Sequence, residues 1–172
     1  MPEQAAEALY IRARIHANRG LLSSVLSRGS NALLDLCDIA DGVTSRISHS
    51  VRTQSVPIHQ IQGSESRPGD FDRGFHPVHD INKARWLSVT GARLRGKTLA
   101  PVALIQLGDV YFVRDGRHRI SVARALGQTT VEATVEVWHV DRPLSCDEQT
   151  NQPRGIKRLL GGLMRYPRPV QA

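Results

Sequence analysis

The chain has 172 residues, enough for one domain with a buried core and too few for two comfortable ones. Its composition, 40% hydrophobic and 23% charged, is that of a globular protein, and no apolar run approaches the ~20 residues a membrane helix needs. Cys37 and Cys146 lack CxxC spacing, which removes a zinc-site reading, and a formal net charge of +7 points to anionic partners.

That charge is unevenly placed. Residues 1–50 are balanced, whereas residues 151–172 carry Arg154, Lys157, Arg158, Arg165 and Arg168 with no acid. A basic tail of this kind is a candidate nucleic-acid contact, with solvation as the plainer alternative. The opening residues Pro2, Glu3, Gln4 and Glu7 do not form a secretory signal, so a cytoplasmic protein is expected.

In chain order, residues 2–18 predict a helix with Ala6, Leu9, Ala13 and Ala17 on one stripe, closed by Gly20. A shorter apolar piece, Leu21 to Leu26, follows and ends at Gly29. Ser30 is a plausible N-cap for a third helix through Leu33, Leu34, Leu36, Cys37 and Ala40. Val51 to Ile61 reads as one short edge strand interrupted by Pro57, and a loop rich in Gly, Ser and Pro comes next. Asp80 predicts the cap of a helix from Ile81 to about Arg95, stopped by Gly96. Val102 to Gln106 and Val110 to Val113 form a hairpin around Leu107-Gly108-Asp109. Arg119 to Leu126 is a short helix with Gly127 after it, and Val131 to Val137 alternates as a half-buried strand. Asp141 to Pro153 is a polar linker. Beyond it Ile156, Leu159, Leu160 and Leu163 recur at the spacing of a short basic amphipathic helix, which either docks on the domain or faces a polyanion. The fold class is α+β, a small mixed sheet with helices behind a helical N-terminal extension. The expected division is residues 1–50 for the extension, 51–140 for the domain, and 141–172 for linker and tail.

Chemistry concentrates in Asp115-Gly116-Arg117-His118-Arg119, a strand-to-helix turn. Gly116 permits a positive φ, and the helix opening there leaves its first N–H groups without intrahelical partners. Two guanidiniums and an imidazole beside that positive helix end make a phosphate site. The alternative is structural: the arginines pair with Asp70, Asp72 or Asp109 and hold a loop.

DGRHRISVARALG, followed by a strand near Val131, resembles the signature of the ParB/sulfiredoxin superfamily, and VPIHQIQGS looks like its first strand. The resemblance spans roughly residues 51–140. It implies a nucleoside triphosphate, CTP or ATP with Mg²⁺ as a companion, held by Gly116, His118 and Arg119, while Arg117 occupies the variable position. Sulfiredoxins carry their reactive Cys where this chain has Arg117, so that thiol chemistry is not implied here. The helix-turn-helix and dimerisation domains of partition proteins do not fit in the thirty or so residues after Trp138. The free-serine kinase branch has a D-G-H-H-R core and takes a base from the early loop, where Glu65, Asp70 and Asp72 are the candidates.

Three functional classes follow. The first is a nucleotide-binding protein acting in DNA binding or DNA-linked regulation. The second is a small enzyme for phosphoryl transfer or phosphodiester cleavage, using Glu65, Asp70 or Asp72 as base or Mg²⁺ contact. The third is a degenerate module for protein association, and homo-oligomerisation is compatible with all three. His76, His79 and Asp80, with Asp70 and Asp72, add metal-capable groups without a repeated ligand spacing. Trp86 and Trp138 sit in periodic apolar patterns that favour core packing over base stacking. Arg93, Arg95 and Lys97 suit the negative end of a helix.

Overall fold

The computed structural model describes residues 2–27, 31–40 and 45–140. Helix α1 runs from Pro2–Ser27 without a break, so Gly20 does not separate two helices. It lies where the helix passes Asn31 and Asp72: a Cβ at Gly20 would meet Asn31 Nδ2 and stand 3.3 Å from Asp72 Oδ2. Close approach, rather than termination, is what glycine serves here, at a propensity cost of about 1 kcal/mol relative to Ala. The buried stripe is Ala6, Tyr10, Ala13 and Ala17, with Tyr10 taking the place expected for Leu9.

The expected third helix is partly a strand. β1 (Leu34–Asp35) precedes a five-residue helix α2 (Leu36–Ala40). β1 pairs in parallel with Gly63 and Ser64, and its neighbours serve two cores, Leu33 in the larger one and Leu36 and Ile39 in the smaller. The segment 51–61 is likewise two strands rather than one. β2 (Ser45–Pro57) ends at Pro57, which lacks the N–H to continue a ladder, and a 3₁₀ turn at Ile58–Gln60 leads into β3 (Ile61–Ser64). The expected boundary at residue 50 falls inside β2.

The rest of the predicted pattern holds with small shifts. α3 is Lys83–Leu94, β4 Val102–Leu107, β5 Val110–Asp115, α4 Arg117–Ala125 and β6 Thr130–Val140. Asp80 does not cap α3. Its carboxylate accepts a hydrogen bond from Tyr10 Oη at 2.8 Å and pairs with Arg14 at 3.3 Å, tying α1 to the turn before α3.

The fold is α+β, with one six-stranded mixed sheet in the order β1-β3-β5-β4-β6-β2. β2 is at the edge, as Pro57 predicts. Four strand spacings separate β3 from β2, roughly 19 Å in a flat sheet. The chain from Pro57 to Ile61 reaches about 14 Å at most. The sheet is therefore curled. The larger core lies between the sheet and α1, α3 and α4, around Tyr10, Phe71, Phe75, Trp86 and Ile120. Trp86 is fully buried, with Nε1 donating to Ser121 Oγ at 2.8 Å and Tyr10 set edge-on at 5.3 Å. The second face carries a smaller cluster of Leu36, Ile39, Ile105, Val110 and Phe112 with Trp138 against it. Both tryptophans pack as the sequence predicts.

Strand direction brings the functional segments together. β3 and β5 are parallel, so the loop after Ser64 and the turn after Asp115 leave the sheet at the same end. β4 is antiparallel to β5, with Ala103 opposite Asp115, so the residues entering β4 lie at that end too.

Candidate functional site

These three segments and the start of α3 enclose a cleft of about 320 Å³. Its lining includes Asp115, Gly116, Arg117, His118 and Arg119, the whole of the predicted phosphate turn, together with Asp70 from the loop after β3. Gly116 sits at φ +103° as the N-cap of α4, with no side chain capping the helix. A Cβ there would come within 2.6 Å of Val102 Cγ1 and 2.9 Å of Val102 Cβ. The site thus requires glycine twice over, for its dihedral and for its contact with β4. The first helical bond is Ile120 N–H to Gly116 C=O at 3.0 Å, which leaves the preceding N–H groups at the mouth of the cleft.

The three side chains of the turn do different things. Arg119 donates from Nη1 to the carbonyls of Ala100 and Pro101 at 2.6 and 2.8 Å, and from Nη2 to Asp115 Oδ2 at 2.5 Å. It holds the entry to β4 against the turn. Arg117 donates from Nη1 to the carbonyls of Ser66 and Arg67, linking α4 to the loop after β3. No carboxylate neutralises Arg117 in these bonds. His118 is half-buried, edge-on to Phe71 at 5.3 Å, and its Nε2 is buried with no hydrogen-bond partner. Burial lowers its pKa below the usual 6.5, and the charges of Arg85 and Arg117 lower it further against the opposing pull of Asp70 and Asp115. The imidazole is therefore neutral at pH 7, and its place in the cleft is as a polar contact rather than a third cation.

The early-loop acids are dispersed. Asp70 lines the cleft. Glu65 faces Arg114, which lines the cleft and is held between Glu65 Oε2 at 3.1 Å and Glu136. Asp72 is elsewhere: 4% exposed, it accepts from His76 N–H at 2.8 Å and from Asn31 Nδ2 at 3.3 Å, with His76 Nδ1 at 3.1 Å. Burial alone would raise the Asp72 pKa, but the hydrogen bonds and charge of His76 outweigh it and lower the pKa below 3.8. Its role is to fix the 71–77 loop. The metal-capable group dissolves on the same grounds, since His76 is paired with Asp72 and Asp80 with Arg14. Among the described residues no three His, Cys, Asp or Glu side chains come together as a metal site.

Sequence reasoning missed Arg67, Arg85, Asn82 and Arg114, all of which line the cleft. Arg114 precedes the motif directly and Arg67 lies in the flanking loop, so both were within reach of a topological guess. Arg85, in the first turn of α3, carries no local signal. The tail residues Arg154, Lys157, Arg158, Arg165 and Arg168 lie outside the described residues. Among the described residues, no helix is long and apolar enough to cross a membrane.

No protein-family model matches the chain, and a comparison with curated proteins returns no match. Among solved structures it is similar to a sulfiredoxin from Arabidopsis thaliana, at 15% identity and a TM-score of 0.36. The match covers 49% of this chain and 83% of that one. The fold relationship is weak and extends to nothing about the cleft.

Proposed function

We propose that the cleft binds the phosphate chain of a nucleoside triphosphate, CTP or ATP, at the Gly116–Arg119 turn. The observation that carries this reading is the uncapped N-terminus of α4 opening into a cleft beside Arg117, which forms no ion pair with a carboxylate among the described residues. Free N–H groups and an unneutralised guanidinium at one mouth suit a multiply charged oxyanion and suit a neutral ligand poorly. Val89, Leu99 and Ala100 supply the apolar part of the lining, against which a base or sugar packs. Asp70, which lines the cleft, is the acid that would contact a Mg²⁺ arriving with the nucleotide. The nucleotide-bound form acts in DNA binding or DNA-linked regulation, with the basic residues of 151–172 as the DNA contact.

Calorimetric titration with CTP, ATP and ADP, with and without Mg²⁺, tests the pocket. Binding that weakens about tenfold or more in Arg117→Gln supports it, since one charged hydrogen bond contributes about 1.5–3 kcal/mol. Absence of binding at millimolar nucleotide refutes it and leaves the protein-association reading.

A second reading, phosphoryl transfer, is favoured by one observation: Asp70 is the early-loop acid that lines the cleft and has no ion-pair partner among the described residues. Turnover that is lost in Asp70→Asn but kept in Glu65→Gln and Asp72→Asn supports it. Turnover unaffected by Asp70→Asn removes the base.

A further inference from the structure

α1 is apolar on two sides. Its buried stripe of Ala6, Tyr10, Ala13 and Ala17 faces the core. A second row, Gln4, Ala8, Ile11, Ile15, Asn18 and Leu22, recurs in alternating steps of four and three residues and is exposed throughout. At about 3.6 residues per turn this row lies on the side of the helix turned away from the core. Ile11, Ile15 and Leu22 are 54%, 46% and 67% exposed. Four of the seven large apolar side chains exposed among the described residues lie on α1, so the exposure is concentrated there. Scattered exposed apolar residues mean little, whereas a row of them on one helix face marks a contact surface. α1 lies outside the 51–140 stretch that resembles the ParB/sulfiredoxin signature, and none of this row lines the cleft.

We infer that this row is the seam of a homodimer, in which α1 pairs in parallel with α1 of a second copy across a two-fold axis. The alternating four-three spacing is that of a coiled-coil seam, a face that is complementary to itself. Ala8, Ile15 and Leu22 take one of the two repeating seam positions, and Gln4, Ile11 and Asn18 take the other. In a parallel two-fold pair each seam residue meets its own counterpart, so the Asn18 amide pairs with the partner's Asn18. An antiparallel pair would set Asn18 against Ala8, Ile15 or Leu22 and leave its amide facing an apolar side chain.

The charges beside the seam select the same direction. Arg12 and Arg19 follow one edge of the row, and Glu7 and Arg14 the other. Parallel helices bring opposite edges together, which places Glu7 beside the partner's Arg12. Antiparallel helices bring like edges together and crowd Arg12 and Arg19 against arginines. Arg14 is drawn toward its own domain, pairing with Asp80 at 3.3 Å and donating to the Pro77 carbonyl at 3.1 Å. Glu7 holds Lys83 through Oε1 at 2.5 Å, and Oε2 is left to accept from the partner. The chain's own basic segment is a poorer occupant, since Lys157, Arg158 and Arg165 would lie against Arg12 and Arg19. The row extends over roughly 27 Å of helix, short for an obligate interface and suited to reversible association.

Sedimentation velocity of the full chain over roughly 1–200 μM tests the pairing. The wild type is expected to pass from monomer to dimer within that range. Ile11→Glu and Ile15→Glu should each weaken dimerisation at least about tenfold, because the two-fold axis makes every substitution twice. Both should leave the melting temperature of the dilute monomer unchanged, since each side chain is about half exposed in it. Asn18→Cys should cross-link two copies under mild oxidation beyond the level that Cys37 and Cys146 give the wild type. A full chain that stays monomeric throughout overturns the proposal, whether its own tail or nothing at all covers the row. Dimerisation of undiminished strength in both glutamate variants places the interface elsewhere and overturns it as well. An Asn18→Cys chain that cross-links no more than the wild type overturns the parallel pairing.

Discussion

Gly116→Ala isolates the geometry on which the site depends. At φ +103° an alanine is strained, and such a backbone conformation costs about 1–3 kcal/mol. The new Cβ also meets Val102 at 2.6 Å, far inside a normal carbon contact, and overpacking of that kind adds about 1–3 kcal/mol. Gly127 provides the control, because it has φ +76° but nothing within 4 Å of its Cβ position. Gly127→Ala should cost the backbone term alone, about 1–3 kcal/mol, and Gly116→Ala about 2–6 kcal/mol in all. For a chain of this length 1 kcal/mol moves the melting temperature by about 2–4 °C. The assay is urea denaturation followed by circular dichroism, with Val102→Ala as the second partner of a double-mutant cycle. Gly116→Ala should couple favourably to Val102→Ala, since removing Cγ1 relieves the closer of the two overlaps while Val102 Cβ stays. Equal losses at Gly116 and Gly127, with no coupling to Val102, would refute the claim that β4 presses on the turn.

Arg119→Lys should lower stability by about 1–3 kcal/mol, because an ammonium cannot reach two carbonyls and a carboxylate together. Loss of ligand affinity with no loss of stability would show that Arg119 contacts ligand instead of holding Ala100 and Pro101. His118 and Asp72 both have folded-state pKa values below their unfolded ones, so each favours folding above its unfolded value and less so as pH falls. The His118 contribution is present above pH 6.5 and declines as pH drops below it, and that of Asp72 declines below 3.8. Urea midpoints should therefore fall between pH 7.5 and 5.5 in the wild type and stay flatter in His118→Gln; identical slopes would contradict the burial of the imidazole. For DNA, four phosphate contacts from residues 151–172 give a slope of about −3.6 in log K against log salt. That slope should collapse in a chain ending at residue 150, and a flat slope in the full chain removes the DNA role.

What was legible in the sequence had a local cause. The α4 turn announced itself because Gly116 must be glycine and because Arg117 to Arg119 follow it at once. The β4–β5 hairpin, with Gly108 at φ +61°, was equally local. The misreadings have non-local causes. Gly20 looks like a helix stop, yet it accommodates Asn31 and Asp72 from across the fold. Leu33 to Ala40 has helical spacing, but pairing with Gly63 and Ser64 draws Leu34 and Asp35 into the sheet. Asp72 and Asp70 stand two positions apart and look interchangeable as bases. Asp72, inside the 71–77 loop, bonds to His76, while Asp70, just before that loop, lines the cleft, a distinction set by tertiary packing.

On the proposed reading, the same division sets how the cleft would select an anion. Five arginines and two aspartates line it, but Glu65 and Glu136 behind Arg114 take back much of that excess. Net charge is therefore a weak source of affinity. The helix terminus is also modest, at roughly 0.3–1 kcal/mol for a favourable contact. A charged hydrogen bond contributes about 1.5–3 kcal/mol, so guanidiniums without a carboxylate partner decide the outcome. Arg119 is the most prominent cation of the DGRHR turn and the one least able to contribute, because Asp115 already neutralises it. Arg117 and Arg85, which form no salt bridge with a described residue, retain that capacity. On the proposed reading, affinity in this cleft follows from which arginines the fold leaves without a carboxylate partner rather than from motif position alone.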